Sequence, residues 1–136
     1  MTSVTVQKPG RPLVLLVDDQ PVNIQVLYAL LKNEYEVCMA LNGADALAIC
    51  RAQAPAVMLL DIEMPGMDGY EVCRQLKLDA AIRDITVIFV SGHIDPALHA
   101  RALATGGADF LIKPFSADLV LAAVRRHAPG VLNITK

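Results

Sequence analysis

The sequence predicts an α/β fold in which a five-stranded parallel sheet is covered by helices on both faces. Three observations lead to this class. Strand-like and helix-like segments alternate five times along the 136 residues, which is typical of parallel βα units. The strand-like segments are almost continuously apolar, as strands buried on both faces usually are. With 54% hydrophobic residues, the chain is long and apolar enough to build one domain with a substantial core.

The first third of the chain predicts two strands and two helices after a flexible leader at residues 1–12, which holds two prolines and a glycine. Residues 13–17 form an apolar strand. Pro21 suits the first position of a helix, where its missing N–H costs nothing, and Val22, Val26, Tyr28, Leu30 and Leu31 are compatible with a helix to Lys32. Residues 35–40 form the second strand. Asn42 is expected to cap a second helix that ends before Pro55.

The middle of the chain predicts a third strand, a turn-rich loop and a third helix. Residues 56–60 are wholly apolar and lead directly into Asp61. After a loop containing Pro65 and Gly66, Asp68 is expected to cap a helix to about residue 79. Glu71 is placed as the second half of a capping box.

The last third predicts two further βα units. Residues 85–90 form a strand before Ser91, and a helix beginning at residues 95–96 is ended by the glycines at 106–107. Residues 109–112 form the last strand. The final helix opens at residues 115–116 and runs to about His127, giving a domain at residues 13–128. Residues 129–136 are then a tail or the start of a linker to an output domain.

The predicted strands limit the sheet to a few arrangements, because crossover connections are right-handed. The commonest order for five strands is the flavodoxin-like, doubly wound order 2-1-3-4-5. Ligands then bind beyond the carboxyl ends of the strands, at the switch point between the first and third strands. The polar residues at those ends are Asp18, Asp19, Asp61, Ser91 and Lys113.

Three carboxylates at one corner of a sheet repel one another. Two unit charges ~4 Å apart cost about 4 kcal/mol at an effective dielectric near 20. Lys113 offers one positive charge and a divalent ion would supply two more. Hard oxygen donors favour Mg²⁺ (or Mn²⁺) over Zn²⁺. Any one of these residues alone could be a helix cap or a solvated side chain, but together they indicate a site that can receive a phosphoryl group.

Composition argues against several other classes. The net charge of −2 gives no basic surface for direct contact with nucleic acid. No uncharged stretch approaches the ~20 residues that cross a bilayer, so no membrane association is expected. Three cysteines without CxxC spacing favour core packing over a disulfide framework or zinc site. The start of the chain lacks a charged segment followed by an apolar one, which favours a cytoplasmic location.

Four motifs in order resemble the receiver domain of two-component response regulators, over about residues 13–127. They are the acidic pair Asp18-Asp19, residues 59–69 (LLDIEMPGMDG), Ser91 with the small Gly92, and residues 110–115 (FLIKPF). The resemblance implies a signalling domain rather than an enzyme. It also implies a cis peptide bond before Pro114.

By resemblance, Asp61 is the phosphoacceptor and takes a phosphoryl group from the phosphohistidine of a sensor histidine kinase or phosphotransfer protein. Ser91 and Lys113 would contact the phosphoryl oxygens. Ser91 and Phe110 would form the switch that alters the face of helix 4, strand 5 and helix 5, and so controls an output domain or partner protein. A phosphorylation-dependent homodimer is compatible with this scheme. The implied Mg²⁺ ligands are Asp18 (close to the ion or acting through water), Asp19, Asp61 and the backbone carbonyl of Glu63.

Two further residues lie at the rim of this site. Glu63 follows Asp61 by two residues, and His93 follows Ser91 by two. We hypothesise that this pair tunes the lifetime of the phosphorylated state by controlling access of water. The competing interpretation is that both are simply solvated.

Two other functions remain open at this point. One is a phosphatase or phosphotransferase with a nucleophilic aspartate, of the haloacid-dehalogenase kind. That family has DxD after its first strand, whereas the acids here are adjacent and no cap-sized insertion follows. The other is a protein-binding domain that works without phosphorylation, which the complete set of acids, hydroxyl and lysine disfavours.

Overall fold

The computed structural model describes residues 11–128 and confirms the predicted fold. All strand pairs are parallel, and the order is β2-β1-β3-β4-β5. The tail predicted at residues 129–136 and all but the last two residues of the predicted leader lie outside the described residues. The strands are β1 (Leu13–Val17), β2 (Glu36–Ala40), β3 (Val57–Asp61), β4 (Thr86–Ser91) and β5 (Asp109–Ile112).

The helices begin close to the predicted caps. The side chains of Asn42, Asp68 and Ser116 each accept a hydrogen bond from a backbone N–H of the helix that follows. Glu71 does not complete the predicted capping box, because its carboxylate accepts hydrogen bonds from Arg74 and Gln75. The helices are α1 (Pro21–Leu31), α2 (Gly43–Gln53), α3 (Gly69–Leu78), α4 (Pro96–Thr105) and α5 (Ala117–His127).

Two apolar cores lie on opposite faces of the sheet. Alternate side chains of each strand point to opposite faces, so neighbours such as Leu15 and Leu16 belong to different cores. One core is closed by α1 and α5, and the other by α2, α3 and α4. None of the helices in residues 11–128 has the length and apolar character that a membrane crossing requires.

The exposed face of α1 carries several apolar side chains. Val22, Val26 and Tyr28 are 59%, 43% and 42% exposed, whereas Ile24 and Leu27 are buried. Only one stripe of a helix can face the sheet, and the 3.6-residue period places Ile24, Leu27 and Leu31 there. Apolar composition alone does not distinguish the two sides.

The last turn of α5 carries three basic residues, Arg125, Arg126 and His127. Arg125 pairs with the carboxylate of Glu34, and both Arg126 and His127 contact Asp109. These carboxylates come from other parts of the chain. The basic last turn therefore links α5 by ion pairs to the segment after α1 and to the start of β5.

Candidate functional site

The carboxyl edge of the sheet brings together the three acids that follow β1 and end β3. One carboxylate oxygen from each of Asp18, Asp19 and Asp61 lies within 4.8 Å of the others. Asp18 and Asp61 are buried, and Asp19 is half-buried. This convergence follows from topology, since β1 and β3 are neighbours in the sheet.

Strand β3 includes Asp61 and β4 includes Ser91, one residue further than predicted in each case. Asp61 lies opposite Val90 in the parallel ladder, and the next residue, Ile62, donates its N–H to the Val90 carbonyl at 3.0 Å. Both polar residues are therefore held by strand hydrogen bonds rather than by a loop.

The side chain of Lys113 reaches the acids from the end of the edge strand β5. It follows β5, and its Nζ lies 3.1 Å from Oδ1 of Asp61 and 3.2 Å from Oδ2 of Asp18. Because β4 lies between β3 and β5, the lysine side chain crosses the end of β4 to reach them. The peptide bond between Lys113 and Pro114 is cis, as the sequence resemblance implied.

The fold disfavours the negative charge of Asp61. Burial, followed by the charge of Asp18, raises its pKa to about 6, although Lys113 acts in the opposite direction. Burial by itself would lower the pKa of Lys113, but the hydrogen bonds and charges of Asp61 and Asp18 outweigh it and raise that pKa. A single lysine thus does not neutralise the cluster.

This donor set fits a hard divalent cation. Three carboxylates and one ammonium leave two negative charges in a mostly buried pocket, and all the anionic donors are oxygen atoms. Burial and the charge of Asp18 both raise the pKa of Asp61, and a bound cation would oppose that rise. Asp18 also has a fixed orientation, because its Oδ1 accepts a hydrogen bond from the backbone N–H of Gln20 at 2.9 Å.

The same charge excess predicts a stability effect. In the metal-free protein, Asp61→Asn should raise the free energy of unfolding by about 1–2 kcal/mol at pH 8, and by much less near pH 4. The folded chain keeps the Asp61 proton up to about pH 6, whereas the unfolded chain releases it near the ordinary aspartate pKa of 3.8. Stability is therefore lost as the pH rises from about 4 to about 6.

Urea unfolding in the presence of a chelator at pH 4 and pH 8 measures this difference. Asp84→Asn, at an exposed position, is the matched control and should show no such pH-dependent gain. Equal or lower stability of Asp61→Asn at pH 8 would show that the cluster is not charge-strained.

Ser91 and the two rim residues meet at the entrance to the pocket. The buried Ser91 hydroxyl oxygen accepts a hydrogen bond from the His93 backbone N–H at 3.0 Å. His93 Nε2 lies 2.7 Å from Oε2 of Glu63, and both side chains are more than half exposed. The loop after β3 and the loop after β4 are thus linked across the mouth of the pocket.

Phe110 is half-buried on β5, and the ring of His99 from α4 stacks on it. The ring centroids are 4.8 Å apart, with 27° between the planes. No local pattern in the sequence connects His99 to a residue on another element. Only the packing of α4 against β5 brings the rings together.

Fold and site together define a class: flavodoxin-like α/β domains with an acidic pocket, a hydroxyl and a lysine at the switch point of the sheet. Comparison with known proteins gives the same result. The family model described as the response regulator receiver domain matches residues 14–125. The chain belongs to this receiver family, which serves signalling in two-component systems.

Several bacterial relatives agree with this assignment. The chain is 41% identical over 113 residues to the response regulator PleD of Caulobacter vibrioides, covering 82% of this chain but only a quarter of PleD. It is 36% identical to the protein PilH of Pseudomonas aeruginosa, covering 86% of this chain and 98% of PilH. The receiver domain structure of the putative regulator NarL from Mycobacterium tuberculosis superposes with a TM-score of 0.80 at 32% identity, covering 88% and 98% of the two chains.

Proposed function

We propose that this chain is a phosphorylation switch in which Asp61 accepts a phosphoryl group from the phosphohistidine of a sensor histidine kinase or phosphotransfer protein. The observation that carries the proposal is the bridging of Asp18 and Asp61 by Lys113 within a cluster of three carboxylates. Family membership supports such partners. This role is cytoplasmic and signalling, not that of a turnover enzyme.

The transfer consists of attack by a carboxylate oxygen of Asp61 on phosphorus. A P–O bond forms as the P–N bond to the donor histidine breaks, and the imidazole leaves with its electron pair. With a pKa of about 6, Asp61 is mainly ionised at pH 7 and so is in its nucleophilic form. Lys113 would neutralise charge on the transferred oxygens, and the Ser91 hydroxyl would donate a hydrogen bond to one of them.

The residues that would hold Mg²⁺ (or Mn²⁺) are Asp18, Asp19, Asp61 and the backbone carbonyl of Glu63. The ion would supply the positive charge that the pocket lacks and stabilise the phosphoryl oxygens. The charge excess and oxygen donors described above support this assignment.

The output is a change in the face formed by α4, β5 and α5. Ser91 ends β4 and pairs in register with Ile112 of β5, the strand that carries Phe110. Movement of Ser91 toward a phosphoryl group therefore acts on the strand whose aromatic ring borders this face. An output domain or partner protein would read the change, and a second phosphorylated copy of the chain would use the same face.

Incubation with acetyl phosphate, followed by intact mass measurement, tests the proposal. One labile phosphoryl adduct is expected with Mg²⁺, and none with a chelator. Acetyl phosphate serves as the donor because its acyl phosphate can transfer the group without a kinase. Multiple turnover of a small phosphate ester without a retained adduct would indicate the phosphatase. A folded protein with neither adduct nor turnover would indicate a binding domain that works without phosphorylation.

We expect the Glu63–His93 pair to influence the lifetime of the phosphoryl adduct. We expect Glu63→Ala or His93→Ala to speed loss of the phosphoryl group by about two- to tenfold, because the pair spans the mouth through which water enters. The first-order decay of the adduct after removal of donor measures the rate. Arg51→Ala breaks an exposed ion pair with Asp79 and should leave the decay unchanged. Unchanged rates in both rim variants would show that the pair is only solvated surface.

A further inference from the structure

The connection between β4 and α4 (residues 92–95) and the first turn of α4 together contact three separate parts of the molecule. The His93 N–H donates to the Ser91 hydroxyl oxygen in the site, and the His93 ring pairs with Glu63 beyond β3. One turn into α4, the ring of His99 stacks on Phe110 of β5. The proposed function uses the first two contacts and leaves the third without a role.

Phe110 packs against the edge of one core, but it also borders open space on two sides. The ring lines a cavity of about 170 Å³ together with His93, Ile94 and His99, and a second of about 420 Å³ beside α5. A cavity of about 150 Å³ can accept a benzene molecule. The neighbouring core ring, Phe89, is by contrast fully buried. The stacked His99 ring is thus one of the contacts that restrain the position of Phe110.

We propose that His99 is a positioning residue of the switch: its ring holds Phe110 in the half-buried position of the unphosphorylated chain, and releases it when the β4–α4 connection moves. The inference rests on the proposed function and adds a residue to it. The helical hydrogen bond from the His99 N–H to the Asp95 carbonyl, 3.2 Å, ties His99 to the end of this connection. A shift of Ser91 and His93 therefore reaches the His99 ring through a short, hydrogen-bonded path.

The sign of the effect follows from linkage. If stacking stabilises the unphosphorylated arrangement, its removal shifts the population toward the switched one, which binds a phosphoryl group better. Aromatic stacking contributes enough to change that population ratio by about two- to tenfold. His99→Ala should therefore lower the Kd for beryllofluoride, a stable mimic of a phosphoryl group, by about two- to tenfold in the presence of Mg²⁺.

Conservative and remote variants separate stacking from other consequences. His99→Phe retains a ring that can stack and should restore a Kd close to that of the unmodified chain. Leu103→Ala removes an exposed side chain from the same helix and should have no effect. A second readout is ¹⁹F NMR of protein labelled with fluorophenylalanine, in which Phe110→Leu identifies the Phe110 resonance among the three. Without beryllofluoride, the Phe110 resonance should move toward its bound position in His99→Ala, but not in His99→Tyr, which keeps a stacking ring without adding a fourth phenylalanine.

The outcomes distinguish this inference from the function on which it rests. If the unmodified chain does not bind beryllofluoride with Mg²⁺, the proposed function fails. If it binds, but His99→Ala leaves both the Kd and the Phe110 resonance unchanged, the role of His99 fails alone. A higher Kd in His99→Ala would also overturn the proposed role of His99, because the stack would then stabilise the switched state.

Discussion

Asp61→Asn is expected to abolish the phosphoryl adduct formed with acetyl phosphate and Mg²⁺. The amide has nearly the shape of the carboxylate but is a far poorer nucleophile, so the step that forms the P–O bond is lost. The nearby acids are poor substitutes. Asp18 is already bound to the Lys113 ammonium and to the Gln20 N–H. We expect at least a hundredfold reduction in adduct, measured by intact mass.

The variant keeps its fold, so loss of the adduct reports on chemistry. Relief of charge repulsion should even make Asp61→Asn more stable than the unmodified chain above pH 6. Asp84→Asn, at an exposed position, is the control and should be phosphorylated normally. If an adduct persists in Asp61→Asn and peptide mass maps it to Asp18 or Asp19, the assignment of Asp61 as the acceptor is wrong.

Gly69→Ala is expected to destabilise the fold by about 2–3 kcal/mol and to slow phosphorylation. A Cβ at Gly69 would lie 2.5 Å from the Asp61 carbonyl oxygen and 2.8 Å from the Ile62 Cα. Both are backbone atoms, which cannot rotate away, so α3 or the end of β3 must shift. Helix propensity alone would favour alanine by up to about 1 kcal/mol, and the clash outweighs that gain.

Urea unfolding measures the stability change, and the rate of adduct formation measures displacement of Asp61. Gly92→Ala is a matched control for stability, because a Cβ there would meet nothing within 4 Å. It should unfold within about 0.5 kcal/mol of the unmodified chain. Equal stability of the two variants would mean that the contact between Gly69 and β3 is loose enough to absorb a methyl group.

Much of the site was predictable because its residues occupy one kind of position. Asp18, Asp61, Ser91 and Lys113 all stand at carboxyl ends of apolar strands, and parallel strands bring these ends to one edge. The prediction needed only strand identity and strand order. One-residue errors at the ends of β3 and β4 did not change which residues met.

Contacts between distant side chains could not be predicted in the same way. Lys113 crosses the end of β4 to reach Asp61 and Asp18. Asp109 contacts both Arg126 and His127. The His99 ring stacks on Phe110. Each depends on rotamers and helix placement that no local pattern records. The exposed apolar residues of α1 are a milder case. The 3.6-residue period of the helix separates its buried side from its exposed side, whereas the apolar composition of the segment does not.

The sequence by itself therefore determined the five βα units, the sheet order and the group of polar residues at its carboxyl edge. These depend on hydrophobic periodicity, turn residues and chain handedness, which act locally or apply to every parallel sheet. Only the tertiary structure decided how strongly burial raises the pKa of Asp61, which charges Lys113 neutralises and what restrains Phe110. Those properties depend on distances and solvent exclusion between elements far apart in the chain.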